Sequence, residues 1–386
     1  MENNFSIDVF ASTKEGYALV KEDALRIGGI EAGICYMDSD FNDIVNESEK
    51  NNLKRQKLTL GLGHQSVYGH PTYTMTLKNI PKILAMVLNN EPPYTTSEKS
   101  ARYTIMENIN PPEKELYFKW LPLFENRIKE EYPKIPDSNV KKLAQENARY
   151  MTSVFTPTTM GYSTDLRQLN YLMHWFNDFV EDTENNTEFN KLLKPIMAKF
   201  NNNLGEYYVE ELTPKGKLRD LTLFAKDNYF DEFFNESYST NYLGSFAQLA
   251  QAQRHRTLNY NMQPILETPN NFYIPLIINN HKLMEEWLND LDSVAEFFPQ
   301  ATLVQINERG TYEDFMSKAV ERLCSKAQLE IAKQTKETLR KFRTNTPNRK
   351  IVEKLIPYSK GPRCTFPDFI CKESCNFGKK GLERLV

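Results

Sequence analysis

The sequence predicts an α+β chain organised as two tandem units, and three observations predict it. Over "PTYTMTLKNI", Thr72, Thr74 and Thr76 alternate with Tyr73, Met75 and Leu77, the period of two that marks a strand. Leu166, Leu169, Leu172, Met173, Phe176, Phe179 and Val180 recur at helical spacing, and so do Val320, Leu323, Cys324, Ala327, Ile331 and Thr335. Each half also runs through the same order: an apolar strand or helix run, a polar loop, a connecting segment and a long amphipathic helix. That repeat is too long for a solenoid, so a tandem duplication is the natural reading.

The elements follow in order. Short apolar runs mixed with Gly and Asp, such as "IDVFA" and "AGICYM", suggest strand and helix pieces in the first forty residues. "NNLKRQKLTLGLGHQSVYGH" reads as a helix ending in a Gly-punctuated turn. "PKILAMVLNN" opens with Pro81 at a favoured first helical position and is apolar enough to be buried. "EPPYTTSEKSARYT" is expected as a loop, because Pro92 and Pro93 forbid helix continuation. The Leu166–Val180 pattern makes a core-facing helix, "EDTENNTEFN" turns the chain, and a further helix runs to about Phe200. "NNNLGEYYVEELTPKGK" has linker character. The expected division is therefore a first unit over 1–205, a second over 206–345 and a cysteine-containing tail over 346–386. In the second unit one long helix is expected through "KAVERLCSKAQLEIAKQTKETL".

Composition bounds the function. The 386 residues are 40% hydrophobic and 26% charged, with 23 Phe and 20 Tyr to fill buried cores. A net charge of −3 gives no global field toward nucleic acid or membrane. No signal peptide is read in "MENNFSIDVFASTKEGYALV", and no apolar run approaches the roughly 20 residues that span a bilayer. Five Cys make no disulfide scaffold in a chain this long, so a reducing, cytoplasmic setting is expected.

Two clusters carry chemistry. "GSFAQLAQAQ" runs into Arg254, His255 and Arg256. Cations in the last turn of a helix can simply cap its carbonyls. Paired Arg forks also grip the oxygens of a dianionic ligand. In the tail, Cys364, Cys371 and Cys375 are separated by six and three residues, and only the second spacing suits structural zinc. A fourth ligand could come from Cys35, Cys324 or His281. An iron–sulfur cluster and plain reduced thiols are the other readings.

Several pieces resemble the flavin-dependent thymidylate synthase family. The first half has "GHQSVYGHPTYTMTL", giving His64, Ser66 and His70, with Gly69 where the family has Glu. It has "SEKSARY", giving Glu98, Ser100, Ala101, Arg102 and Tyr103, and "ENARYMTSVFTPTTMGYSTDLRQLNYLMHWF", with Arg149 and Arg167 at family positions. Asn90, Glu91 and Pro92 stand where the family has its Arg-His-Arg triplet, and Phe176 where it has the Arg that helps activate the uracil ring. The second half has the triplet at Arg254, His255 and Arg256. Its "ERLCSKAQLEI" puts Arg322 at the ring-activating position and Gln328 in the Ala-Gln pair. "MQPILETPNN" replaces the Ser-x-Arg-Tyr loop there. The resemblance spans roughly residues 10 to 340, and the losses in the two halves are complementary.

The resemblance implies mainly antiparallel sheets with long flanking helices, the two units forming a pseudo-dimer. It implies methylation of dUMP to dTMP, with FAD, NADPH as reductant and methylenetetrahydrofolate as carbon donor. Arg322 and Gln328 become the catalytic candidates, Arg322 on condition that the helix breaks at "LCSK" as the family's does nearby, since on a straight helix it points away from the apolar face. Ser100, Ala101, Arg102, Tyr103 and Arg149 become dUMP contacts, while Ser66, His70, Glu98, Arg167, Arg254, His255 and Arg256 become FAD contacts. Family sites form between subunits of a homotetramer, so a tandem chain is expected as a homodimer with one composite site. A pyrimidine nucleotide hydroxymethylase or alkylase, and a non-catalytic flavin- or nucleotide-binding paralogue, are the alternatives.

Overall fold

The structure is a computed structural model that describes residues 5–12, 19–100, 109–217, 219–225, 231–367, 369–371 and 375–386. It is α+β, with antiparallel sheets. The chain forms two compact units, one of Met1–Lys99 with Pro157–Leu221, the other of Ser100–Thr156 with Thr222–Val386. Among the described residues no helix is long and apolar enough to cross a membrane.

In the first unit, strands β1 (Ser6–Ser12), β2 (Thr72–Pro81), β3 (Thr95–Glu98) and β4 (Pro157–Asp165) form a sheet in the order β1-β2-β4-β3. The alternation in β2 sends Tyr73, Met75 and Leu77 into the core, each fully buried. Asn79 sits at φ 58°, where the register to β4 shifts between Leu77 and Ile80. Asn tolerates that left-handed conformation better than most residues, which suits a bulge. Pro81 ends β2 and precedes the helix Lys82–Leu88 rather than opening it; Ile83 to Leu88 are buried as expected. The stretch expected as a loop after Pro92 and Pro93 contains β3, because those prolines bar a helix but not the extended chain that follows.

Helix Leu166–Glu181 starts at Asp165, whose side chain accepts the Gln168 N–H at 2.7 Å. Leu166, Leu169, Leu172, Met173 and Phe176 are buried, and Phe179 and Val180 half-buried. The segment expected as a linker is packed instead. Leu204, Tyr207, Val209 and Leu212 are buried, and the Asn170 side chain binds the Tyr207 carbonyl (3.1 Å) and the Val209 N–H (2.6 Å). The chain therefore divides at Leu221/Thr222 rather than at 205/206.

In the second unit, β5 (Phe233–Phe234), β6 (Ser237–Ser245), β7 (Asn259–Met262) and β8 (Leu303–Thr311) form a sheet in the order β5-β6-β8-β7. This is the order of the first sheet. Both sheets place a seven-residue helix after the second strand, Lys82–Leu88 or Phe246–Ala252. Both follow the fourth strand with two longer helices, Leu166–Glu181 and Glu188–Asn203, or Tyr312–Arg322 and Leu329–Asn345.

The core of the second unit draws on residues 109–151, which the sequence assigns to the first. Trp120 and Phe124 of helix Pro111–Glu131 pack on Trp287, with the two Trp rings 4.8 Å apart and edge to face. The tail belongs to this unit too: Val386 joins the same core and Arg384 is buried. The single helix expected over 318–339 is two, interrupted between Arg322 and Leu329. The tail explains the break, since its Arg363 N–H takes the Leu323 carbonyl (2.5 Å) and its Arg384 takes that of Ala327 (2.5 Å). Carbonyls satisfied from outside no longer need the next helical turn.

Candidate functional site

The site in the second unit is built around helix Phe246–Ala252 and the interruption between Arg322 and Leu329. The helix ends at Ala252, so the Arg-His-Arg triplet follows its C-terminus directly. The His255 N–H bonds to the Ala252 carbonyl at 3.0 Å. His255 is buried, while Arg254 and Arg256 on either side of it are exposed. Arg322, the last residue of its helix, donates from Nε to His255 Nε2 at 2.7 Å. A guanidinium cannot accept, so the His255 proton sits on Nδ1. Burial pushes the imidazole down to about 2, helped by the charges of Arg322 and Lys318, and the ring is neutral at ordinary pH.

Gln328 caps the following helix and is buried. Its Oε1 accepts from Arg149 Nη2 and its Nε2 donates to the Tyr150 hydroxyl. Arg149 has no acceptor to offer, so the amide has one orientation. Tyr150 donates in turn to Glu330 Oε2 at 2.5 Å, and Glu330 also takes the Ser245 hydroxyl (2.7 Å) and N–H (2.8 Å). The chain runs from a cation through an amide and a phenol to a carboxylate, an order in which each bond polarises the next. Burial raises Glu330, against the pull of Tyr150, Ser245 and Arg149, and burial raises Tyr150 as well. The Gln328 N–H further faces Gln251 Oε1 at 3.4 Å. Arg322, Gln328 and Glu330 thus tie the interruption to His255, Gln251 and Ser245.

The structure brings Arg149 to Gln328 and Arg322 to His255. Ser100 lies in the same unit, whereas Ala101, Arg102 and Tyr103 lie outside the described residues. Ser66, His70, Glu98 and Arg167 belong to the first unit. Ser66 is exposed within the short helical segment Gln65–Gly69, and His64 is exposed immediately before it. His70 faces Glu31 at 3.8 Å, and Glu98 is paired with Lys82 at 2.5 Å. A Cβ on Gly69 would lie 3.2 Å from the Arg167 guanidinium, so a side chain there would crowd Arg167. Where the first half lacks the triplet, Asn90 and Glu91 are buried, and Glu91 pairs with Arg219 at 2.8 Å. Phe176 is a core residue against Phe200.

Sequence reasoning missed Tyr150, Glu330 and Ser245. Tyr150 adjoins Arg149 and Glu330 lies inside the quoted "AQLEI" run, so both were within reach. It also missed a buried ion pair, Lys318 to Glu308 at 2.5 Å, whose carboxylate accepts from Tyr238 (2.6 Å) and Tyr242 (2.9 Å).

The tail cysteines are gathered. Cys324, Cys364, Cys371 and Cys375 line one cavity together with Lys326 and Arg363. Cys35 is exposed on helix Lys21–Tyr36 and His281 is exposed beside Glu285 (3.5 Å), so of the three residues considered as a fourth ligand, Cys324 alone joins the tail. Burial pushes the Cys364 thiol up, and Cys375, Cys371 and Cys324 add to it. At Cys375 burial is outweighed by the Ser325 side chain, the Phe377 and Gly378 backbone and Lys326, which bring the thiol below its ordinary value. Among the described residues no group of three or more His, Cys, Asp or Glu is arranged to hold a metal ion.

Among known proteins, no curated sequence matches the chain. A UMP/dUMP methylase, PolB from Streptomyces cacaoi bound with 5-Br dUMP, is 14% identical, with 45% of this chain and 78% of that chain covered and a TM-score of 0.29. The flavin dependent thymidylate synthase ThyX from Helicobacter pylori, complexed with FAD and dUMP, is 16% identical, with 54% of this chain and 99% of that chain covered and a TM-score of 0.32. At such TM-scores the likeness carries no argument about the site. The family model described as thymidylate synthase complementing protein matches residues 21–203, just under half of the chain, and the triplet lies beyond it. Over residues 21–203 the chain is thus similar to the thymidylate synthase complementing protein family.

Proposed function

We propose that the protein is a flavin-dependent thymidylate synthase that methylates dUMP to dTMP with methylenetetrahydrofolate and NADPH. One observation supports it above the rest. Arg149 and His255 belong to motifs far in sequence from the run that holds Arg322 and Gln328, and the four form two direct hydrogen-bonded pairs inside one unit. The shared strand order of the two sheets supports the tandem duplication.

Arg254 and Arg256 suit the diphosphate of FAD, being two exposed guanidiniums on either side of an anchored residue. When bound, the flavin supplies the hydride chemistry. The chain's own residues bind and orient. His255, neutral and held by Arg322, fixes the turn from which the two guanidiniums project. Arg149 and Gln328 present a charged donor and an amide locked in one orientation, groups that suit a nucleotide phosphate and the edge of a uracil ring. Ser100 and Arg102 would complete the phosphate grip.

A second reading, a binding protein without turnover, draws on Gly69 in place of Glu and on the buried Glu91, paired with half-buried Arg219, where the first half lacks cations. Incubation with dUMP, methylenetetrahydrofolate, FAD and NADPH, followed by mass analysis of the nucleotide, separates the two. dTMP is expected. A hydroxymethylated nucleotide would move the reading to a sister activity. Bound flavin with unchanged dUMP would establish the binding protein.

A further inference from the structure

We propose that Cys324, Cys364, Cys371 and Cys375 form a four-thiolate zinc site that fastens the tail onto the interruption between Arg322 and Leu329. The site stands independently of the proposed activity.

Four cysteines from three stretches of chain line one cavity, and none of them is in a disulfide. Cys371 and Cys375, separated by three residues, have the spacing of a zinc-binding pair, while Cys324 and Cys364 come from elsewhere in the chain. An all-thiol donor set selects soft metals and rejects magnesium and calcium, which want oxygen. Within that set the spacing of Cys371 and Cys375 suits zinc.

Charge agrees. A zinc ion with four thiolates carries two net negative charges, and Lys326 and Arg363 line the same cavity. The Lys326 N–H already points at Cys324 Sγ, 3.5 Å away, the kind of backbone donor that supports a ligating sulfur. The tail is held beside the cavity without the metal, through Arg363 to Leu323 and Arg384 to Ala327. Gly381 lies so close that a Cβ on it would come within 2.8 Å of Ser325. The thiols are gathered around the cavity without being arranged as ligands, and metal binding would draw the sulfurs in to about 2.3 Å from the ion as their protons leave to solvent. A closed tetrahedral site of this kind fixes structure rather than activating water.

Elemental analysis of the full chain, purified under reducing conditions, tests the proposal. One zinc per chain is expected. Cys324→Ser and Cys375→Ser should each lose it, and Cys35→Ser should keep it. Should the variants fail to fold, the wild-type chain decides. After removal of metal by a chelator under reduction, Co²⁺ should give the absorption of tetrahedral thiolate coordination, and zinc should displace it and raise the unfolding temperature. Absence of zinc together with silence toward cobalt overturns the proposal. So does iron with acid-labile sulfide, or a folded Cys324→Ser protein that retains zinc.

Discussion

Arg149 donates to the side-chain oxygen of Gln328 across 179 residues of sequence, and both are buried. This contact joins the 109–151 segment to the helix interruption and fixes the amide between a guanidinium and a phenol. Gln328→Ala would remove a partner from buried Arg149 and from buried Tyr150. It should destabilise the protein by about 1–3 kcal/mol. Urea unfolding followed by tryptophan fluorescence measures it. A change within experimental error would show that the pair adds nothing to the fold.

Arg254 and Arg256 are exposed, so the fold should tolerate their loss. Arg254→Ala with Arg256→Ala should leave the unfolding midpoint where it was and strip flavin from the purified protein. Removing one charged hydrogen bond to the ligand weakens binding by about 1.5–3 kcal/mol, or roughly ten- to hundred-fold. Full flavin absorbance in a folded double variant would return the triplet to a helix-end role.

Two buried groups oppose each other in acid. His255 is neutral when folded, with its value pushed down to about 2 from 6.5 by burial and then by Arg322 and Lys318. The unfolded chain binds the proton first, so the stability owed to His255 is present above 6.5 and declines as pH falls toward 2. Glu113 is pushed up to about 7 from 4.5 by burial, against the Ser153 backbone and the Asn110 and Thr156 side chains. Here the folded chain binds the proton first, so that stability is present below 4.5 and declines as pH rises through 7. Each slope is about 1.4 kcal/mol per pH unit, so the two offset one another between 4.5 and 6.5. Glu113→Gln should expose a decline toward acid in that window, and His255→Gln should flatten the decline below it. Denaturant midpoints across pH check both; parallel profiles for the wild type and the two variants would refute them.

In the first unit, Arg219→Ala would leave the Glu91 carboxylate buried without its guanidinium, and would uncover the Trp175 face on which Arg219 lies (4.4 Å). A loss of about 3 kcal/mol is expected. Glu91→Gln with Arg219→Ala should recover part of it, read in the same unfolding assay. No recovery would mean that the two residues act separately.

What the sequence showed depended on local pattern. The β2 alternation and the Leu166–Phe176 stripe were legible because burial imposes its period on consecutive residues. Arg322 and Gln328 were legible as motif positions. Their partners were not, because no local rule connects residue 149 with 328. The helix interruption was legible only as the condition under which Arg322 could face the site, and no local pattern announced it. "LCSK" holds neither Pro nor Gly, and the carbonyls of Leu323 and Ala327 are captured by tail residues far along the chain. Packing hid the boundary as well: the stretch from Asn201 to Lys217 looks like a linker until Tyr207 and Val209 are seen bound to Asn170.

The insertion between β3 and β4 has a consequence for how the gene can be divided. Residues 109–156 leave the first sheet, help to build the core around Trp287, and return to complete β4. A chain cut near its midpoint therefore produces no two modules. The N-terminal piece would carry Trp120 and Phe124 with no core to receive them, and the C-terminal piece would lack the helix that covers Trp287. Exchange of such halves between relatives would yield aggregating fragments, and a viable recombination has to move the 109–156 excursion together with the sequence beyond Leu221.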